Sequence, residues 1–205
     1  MKTIPIIHTN RLLLNGFVQS DSKRVKKLVG IKAIARNVIH IPYPYSETNA
    51  QKWISVHLSN YLEGRNITWA VRKKPNLLIG SISLMPEYSH KRAEVGYWFG
   101  KKYWNQGYCT EALKAVISYG FNELKLNKIC SSHFSKNPAS GRVMQKCGML
   151  LEGCRRDHII KKGTKIDLIE YGILKRDIRS NKSLELTPPR RQRTRKFSQN
   201  HQERH

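Results

Sequence analysis

The loop between residues 99 and 108 carries the clearest chemical signal in the sequence. The segment 95–99 before it is bulky and apolar, as in a strand, and apolar side chains recur at helical spacing from Leu113 to Leu124 after it. Gly107 lies just before that helix and lets the backbone approach a ligand closely. The free amides and the positive dipole end of a helix start bind phosphate or pyrophosphate. An ordinary helix entry at a glycine turn is the alternative.

A second strand and helix follow the first pair. Residues 127–133 have the composition of a strand. Asn137 and Pro138 suit the cap and first turn of a helix that Gly148 ends. Ser140 completes an N-x-x-S pattern at the start of this helix. The chain therefore carries two successive strand–helix units, and the first has a phosphate-type loop.

These two units closely resemble those of the GNAT acetyltransferases. In that family a strand, a pyrophosphate loop and a helix precede another strand and a short helix that bears an N-x-x-S element. Four segments of this chain resemble the RimJ/RimL branch, which acetylates the N-termini of ribosomal proteins. These segments are 9–14, 78–82, 92–98 and 107–112, and the resemblance covers about residues 8–175 in family order.

The resemblance implies an α/β (α+β) fold over residues 1–179, with a mixed, mostly antiparallel sheet that is splayed in the middle and flanked by helices. It implies acetyl-CoA as the cosubstrate, without a metal. Pantetheine is expected to pair with the strand edge at 97–99, where a backbone amide would hold the oxyanion. The pyrophosphate is expected on the loop at 105–109. The implied cofactor-binding residues are Tyr97, Trp98, Phe99, Lys102, Asn105, Gln106, Gly107, Tyr108, Cys109, Thr110, Asn137, Ser140 and Arg142.

Two residues are candidates for acid–base catalysis. Glu94 matches the position where many family members place a base that relays a proton through water, and pairing with a cation on a neighbouring strand is the alternative. Ser140 matches a residue that the RimL branch places near the thiol, and a helix-cap role is the alternative. Many family members carry a tyrosine acid where this chain has Met144. Some RimL-type proteins carry a glutamate where it has Ile159.

Two residues of the loop also depart from the family pattern. Trp104 stands where glutamine or arginine is usual, and Cys109 stands where glycine or alanine is usual. Cys109 is small enough to fit, and its place at a helix start predicts a lowered thiol pKa. If Glu94 is not the base, Glu152 and His158 are the next candidates.

The balance of charge favours anionic partners. The chain has 38 basic and 14 acidic residues and a net charge of +24, so RNA is the obvious candidate. Residues 180–205 hold seven basic and two acidic residues, so this segment contributes +5 and the rest contributes +19. Almost no apolar residue follows Leu186, which predicts a basic, disordered tail. Both a solvated end and an RNA-binding role are open for it.

Length and composition indicate one domain in a reducing setting. A chain of 205 residues buries a sizeable core, and no segment is long and apolar enough to cross a membrane. The N-terminus lacks the apolar region and cleavage site of a secretory signal. The four cysteines show neither disulfide nor zinc spacing. We expect a cytoplasmic protein that is a monomer or a dimer.

Periodicity and turn residues place the remaining elements. Strands are predicted over 11–15, 68–72, 77–85, 92–99, 127–133, 150–161 and 166–174. Helices are predicted from Ser20 or Asp21 to about Ile31, over 46–63, from 108 to about 124, and over 138–147.

Three classes of function are open at this point. The first is a protein N-terminal acetyltransferase that acts on a ribosomal protein. The second is a GNAT enzyme that acts on a small amine such as a polyamine or an aminoglycoside, although the strong positive field repels a cationic substrate. The third is a catalytically weak RNA- or ribosome-binding protein that has kept the fold.

Overall fold

Eight strands form one mixed sheet in the computed structural model, which describes residues 3–180. The strands are β1 (Ile7–His8), β2 (Leu12–Asn15), β3 (Ile67–Lys73), β4 (Leu77–Glu87), β5 (Arg92–Phe99), β6 (Lys128–Phe134), β7 (Leu150–Lys161) and β8 (Thr164–Leu174). Their order across the sheet is β1-β2-β3-β4-β5-β6-β8-β7. All neighbouring strands are antiparallel except β5 and β6. The mixed, mostly antiparallel sheet expected from the sequence is confirmed.

Helices flank the sheet, as expected. Within the described residues they are α1 (Ser22–Val29), α2 (Lys32–Ala35), α3 (Glu47–Ser55), α4 (His57–Leu62), α5 (Tyr108–Asn122), α6 (Pro138–Lys146) and α7 (Lys175–Ser180). Trp98 of β5 packs against Trp53 of α3, with ring centroids 6.0 Å apart. Its neighbour Tyr97 reaches Ser140 of α6. Because successive strand residues point to opposite faces, α3 and α6 cover opposite faces of the sheet.

The predicted helices differ from the observed ones in two places. The single helix predicted over 46–63 is wrong, because the chain bends at Val56 and forms α3 and α4. Asp21 lies at the predicted N-cap of α1, but its side chain does not cap the helix. Its carboxylate instead receives two hydrogen bonds from the buried guanidinium of Arg72, at 3.0 and 2.6 Å. Most other elements lie within a few residues of their predicted bounds, and β1, α2 and α7 are additions.

The sheet is splayed between β5 and β6. Only three residue pairs join these two parallel strands, and Glu94 opposite Cys130 is the last of them. Beyond that pair the strands separate, while β5 stays paired with β4 as far as Phe99. Just past the last pair, the Ser131 hydroxyl donates to the carbonyl of Val95 at 2.8 Å. The separation leaves a wedge between the two halves of the sheet.

Close packing fixes α5 against the sheet near this wedge. Its inward side chains Leu113, Val116, Ile117 and Phe121 are buried, as the apolar period predicts. At Gly120 a Cβ would lie 2.7 Å from the Cδ1 atom of Ile129 of β6, so a larger residue there would force the Ile129 side chain to move. Within residues 3–180 no helix is long and apolar enough to span a membrane. The predicted tail lies outside the described residues from position 181 onward.

Candidate active site

The connection from β5 to α5 presents the free amides of a helix start. A 3₁₀ turn (Lys101–Tyr103) leads into a loop in which Asn105 and Gly107 have positive φ, at 58° and 78°. Gly107 is the N-cap of α5, and no side chain caps the helix. The first amides of α5 therefore have no intrahelical acceptor. This is the arrangement that the predicted pyrophosphate site requires.

A cluster around Glu111 fixes this loop to the start of β2. Its carboxylate accepts hydrogen bonds from the Thr9 hydroxyl at 2.6 Å, the Arg11 amide at 2.8 Å and the Arg11 Nε at 2.7 Å. The Arg11 guanidinium also donates to the carbonyl of Gln106 at 3.0 Å. Burial raises the pKa of Glu111, but these hydrogen bonds outweigh it and hold the pKa below its ordinary value. Thr9, Arg11 and Glu111 lie in the segments 9–14 and 107–112 that resemble the family, but the sequence does not predict that these segments touch.

The predicted side chains of the loop have different surroundings. The Tyr108 ring is buried beneath the Arg11 guanidinium, 4.5 Å from its carbon, so only the Tyr108 amide faces a ligand. The Gln106 amide group donates to the carbonyl of Lys102 at 2.7 Å and closes the loop on itself. The Lys102 ammonium is exposed and lies 5.1 Å from the centre of the Tyr103 ring. Lys102 therefore adds positive charge beside the loop.

The free edge of β5 exposes alternate backbone groups. In an antiparallel ladder, alternate residues direct both their N–H and C=O to the same neighbouring strand. The Gly100 amide donates to the Ile79 carbonyl at 2.9 Å, so the Trp98 backbone also faces β4. Tyr97 and Phe99 direct their backbone groups into the wedge. Of the three residues predicted to pair with pantetheine through this edge, Trp98 is therefore turned away.

Trp104 occupies one of the acceptors on this edge. Its indole Nε1 donates to the Phe99 carbonyl at 2.7 Å, and its ring is 38% exposed. The hydrogen bond gives a structural role to a residue that departs from the family pattern. Tyr97 is thus the residue whose backbone N–H and C=O are left facing the wedge.

Cys109 corrects one prediction made from the sequence. Its thiol packs against the core beside Cys147, and burial raises its pKa well above the ordinary value. Burial also raises the pKa of Cys147 to about 12. The predicted lowering at the helix start is therefore wrong, because burial in the seam between α5 and α6 outweighs the helix dipole.

Two hydroxyl groups meet beside the wedge. The Tyr97 hydroxyl lies 2.9 Å from the Ser140 hydroxyl and 3.2 Å from the Ser140 carbonyl. Burial is the main reason that the pKa of Tyr97 is well above its ordinary value, so this phenol stays protonated. Met144, at the position of the family's tyrosine acid, is 1% exposed and carries no proton to give. The sequence identified Ser140 but not its pairing with the Tyr97 side chain.

Each of the other residues predicted on α5 and α6 lies at or near the N-terminal end of its own helix. Asn137 is the N-cap of α6, but its side chain makes no capping hydrogen bond. Arg142 is exposed on the first turns of α6. The Thr110 carbonyl lies 3.6 Å from the Cys147 sulfur, which joins the start of α5 to the end of α6.

Glu94 stands at the apex of the splay in an open cleft. The cleft has a volume of about 350 Å³ and is also lined by Glu87, Arg92, Arg155 and Glu170. Glu87 pairs with Arg92 at 2.7 Å, and Glu170 pairs with Arg155 at 2.6 Å. Among the described residues Glu94 has no ion-pair partner, and its contact is the Ser132 hydroxyl at 3.5 Å. The cleft is therefore locally acidic in a strongly basic chain.

The carboxylate and the hydroxyl pair lie on opposite faces of β5. Glu94 and Tyr97 are three residues apart, an odd separation that directs their side chains to opposite sides. The Tyr97 side chain points to the face of the sheet that α5 and α6 cover, and the amide-bearing loop lies on that face. The wedge connects the two sides. A donor molecule on the loop and an acceptor in the cleft would meet at Tyr97.

The two alternative bases are both held by cations. Glu152 pairs with Lys128 at 2.7 Å, and the His158 ring lies 2.9 Å from an Arg155 nitrogen. Ile159, at the position of the RimL-type glutamate, packs in a small apolar cluster with Phe134. In the described part of the chain no three His, Cys, Asp or Glu side chains are grouped as metal ligands. Of the three candidate bases, Glu94 is the one that no cation holds within residues 3–180.

Comparison with known proteins identifies an acetyltransferase family and acetyltransferase relatives. The family described as "Acetyltransferase (GNAT) domain" matches residues 11–150. The "Uncharacterized N-acetyltransferase YoaA" of Bacillus subtilis (strain 168) is 31% identical over 173 residues, which are 83% of this chain and 97% of that protein. The "Ribosomal-protein-serine acetyltransferase" of Escherichia coli (strain K12) is 30% identical over 110 residues, 53% of this chain and 61% of that protein.

A solved structure shares the fold. "Mycobacterium smegmatis RimJ in complex with CoA-disulfide" superposes with a TM-score of 0.79 at 15% identity, covering 85% of this chain and 90% of that one.

Proposed function

The chain belongs to the GNAT acetyltransferase family, and from that premise we propose that it acetylates the N-terminal α-amine of a ribosomal protein by direct attack on acetyl-CoA. It is an acyltransferase, and its relatives and structural neighbours support the RimJ/RimL type. The observation that carries the proposal is the position of Glu94. Within residues 3–180 this carboxylate has no ion-pair partner, and it stands at the apex of a splay whose other side holds the amide-bearing loop.

The residues of the loop and wedge fit acetyl-CoA, which supplies the acetyl thioester. The free amides from Gly107 to Thr110 would hold the pyrophosphate, with charge added by Lys102. The pantetheine would lie in the wedge and pair with the backbone carbonyl of Tyr97, which leaves the Tyr97 amide for the thioester. The Tyr97 amide would then stabilise the negative charge that develops on the carbonyl oxygen.

Glu94 would act on the acceptor. An α-ammonium must lose a proton before its nitrogen can attack, and Glu94 would accept it directly or through a water held with Ser132. The carboxylate also attracts the ammonium before the transfer. Such local attraction is needed because the whole chain, at +24, repels a cation.

The hydroxyl pair would act on the leaving group. Ser140 would donate a proton to the departing thiolate, and the Tyr97 hydroxyl, which stays protonated, would orient Ser140 and donate to it. This pair takes the place of the tyrosine that Met144 replaces. Base and acid act on opposite sides of the sheet and need not touch each other.

The charge of the chain favours a ribosomal acceptor over a small free amine. A polyamine in solution meets a repulsive field, whereas an N-terminus on the ribosome lies among phosphates that attract the enzyme. An open cleft at the apex also suits a chain end.

A peptide assay tests this proposal. Peptides with the N-terminal sequences of ribosomal proteins would be incubated with the enzyme and labelled acetyl-CoA, and the label located by mass spectrometry. We expect label on the free α-amine. Each peptide also contains a lysine. The matched control is the same peptide with a blocked N-terminus, which should stay unlabelled. Labelling of the blocked peptide, or of polyamines alone, would overturn the α-amine assignment.

A further inference from the structure

Six exposed lysines form a continuous basic face beside the loop. They come from α1, from the end of β3 and the turn after it, and from the 3₁₀ turn, and we call them the basic face: Lys23, Lys27, Lys73, Lys74, Lys101 and Lys102. Lys23 and Lys27 are one helical turn apart and therefore lie on the same side of α1. None of the six forms an ion pair within residues 3–180.

Arg24 joins the three elements that carry these lysines. From α1 its guanidinium donates to the Leu78 carbonyl at 3.1 Å, at the start of β4, and to the Tyr103 hydroxyl at 2.7 Å, in the 3₁₀ turn. The Tyr103 and Tyr108 rings are 6.5 Å apart, with Lys102 over the first and Lys73 over the second. The lysines therefore share one surface.

The carboxylates near this face are already engaged. Asp21, at the start of α1, pairs with Arg72 at 2.6 Å, and Glu111 pairs with Arg11 at 2.7 Å. Glu47 lies near the start of α1, where it accepts from the Ser22 hydroxyl at 3.3 Å. The Lys74 ammonium donates to the carbonyls of Thr9 at 2.6 Å and Asn10 at 3.0 Å, and no carboxylate within residues 3–180 pairs with any of the six lysines.

We propose that the basic face binds the phosphate backbone of RNA. Lysines are flexible point charges that suit phosphates without reading bases. The face extends from the cofactor loop onto α1 and the β3–β4 turn, so it offers more cations than the phosphates of one coenzyme need. One consequence rests on the proposed function. Ribosomal RNA bound to the basic face would bring the N-terminus of the acceptor protein to the cleft.

Charge reversal on α1 tests the proposal. The double variant Lys23→Glu, Lys27→Glu lies outside the cofactor loop, and the matched control Lys146→Glu, Lys162→Glu changes two exposed lysines elsewhere by the same charge. Binding to a labelled RNA hairpin would be followed by fluorescence anisotropy over a salt series. For the α1 variant we expect at least a tenfold weaker affinity and a log–log salt slope shallower by about one to two units. The control should keep most of the affinity and the slope.

Three further measurements distinguish the possible failures. Acetyl-CoA affinity by calorimetry should be unchanged in the α1 variant, which shows that it is folded. Equal slopes in the variant and the unaltered chain would overturn the RNA surface. Tighter binding of an acidic protein than of RNA, lost in the α1 variant, would make the face a protein site and also overturn it. Acetylation of free peptides tests the proposed function separately, because it does not need the basic face.

Discussion

Glu94 is the residue on which the proposed chemistry depends most. We expect Glu94→Gln to lower kcat by about 10²–10⁴-fold while leaving the KM for acetyl-CoA nearly unchanged, because the change removes a proton acceptor and keeps the shape. Steady-state kinetics with a peptide acceptor over a pH series would measure this. Glu87→Gln is a matched control, since Glu87 lines the same cleft but is paired with Arg92. An unchanged rate and pH–rate profile in Glu94→Gln would mean that the enzyme works by proximity of its two substrates, or that the base is Glu152 or His158.

His57 makes the fold sensitive to acid. The ring is 5% exposed, neither nitrogen has a hydrogen-bond partner in the structure, and Phe17 and Trp53 enclose it. Burial lowers the pKa of His57 from 6.5 to about 4. Below pH 6.5 the unfolded chain therefore takes up a proton that the folded chain refuses until about pH 4. Stability is lost as the pH falls through this window, by up to about 3 kcal/mol.

Replacing this histidine should remove that loss. We expect His57→Phe to lose less stability than the unaltered chain between pH 6.5 and 4, as measured by urea unfolding at several pH values. His40→Phe, at an exposed position, is the control and should follow the unaltered chain. Identical pH dependence in His57→Phe and the unaltered chain would contradict the assignment of the acid sensitivity to His57.

The start of α5 is the element that should decide cofactor binding. Gly107→Glu places a side chain and a negative charge at a left-handed position beside the free amides, so we expect acetyl-CoA binding to be almost lost in calorimetry. Gly163→Glu is the matched control, because Gly163 also has positive φ (74°) and no atom would lie within 4 Å of a new Cβ. A folded Gly107→Glu variant with unchanged affinity would refute the site.

The elements that the sequence predicts well are those with local signals. The helix after Gly107 was predicted correctly because a glycine and an apolar period lie next to each other in the chain. The break at Val56 was missed because apolar residues continue at helical spacing through it, from Trp53 to Tyr61. The Arg11–Glu111 anchor joins residues 100 positions apart, which no local pattern reveals. Cys109 was misjudged because the packing of α6, rather than the position in α5, decides its environment.

At the scale of the whole molecule, we expect the charge of the C-terminal segment to affect ribosome binding but not acetyl-CoA binding. Residues 180–205 carry +5 of the total +24 and follow the last strand, β8, in the sequence. We expect their deletion to leave acetyl-CoA binding intact. It should also make the salt dependence of ribosome co-sedimentation shallower, by about one log–log unit for each lost phosphate contact. An identical slope and affinity with and without the segment would mean that any ribosome contact belongs to the folded body.

The splay should affect how fast proteases degrade the enzyme. Three residue pairs hold the half of the sheet from β1 to β5 to the half from β6 to β8, fewer than join any other neighbouring strands except the two pairs between β1 and β2. A molecule lodged in the wedge bridges both halves and, by mass action, lowers the frequency with which they part. We expect proteases to cut the empty enzyme faster than the loaded one. The supply of acetyl groups would then set the abundance of the enzyme as well as its rate.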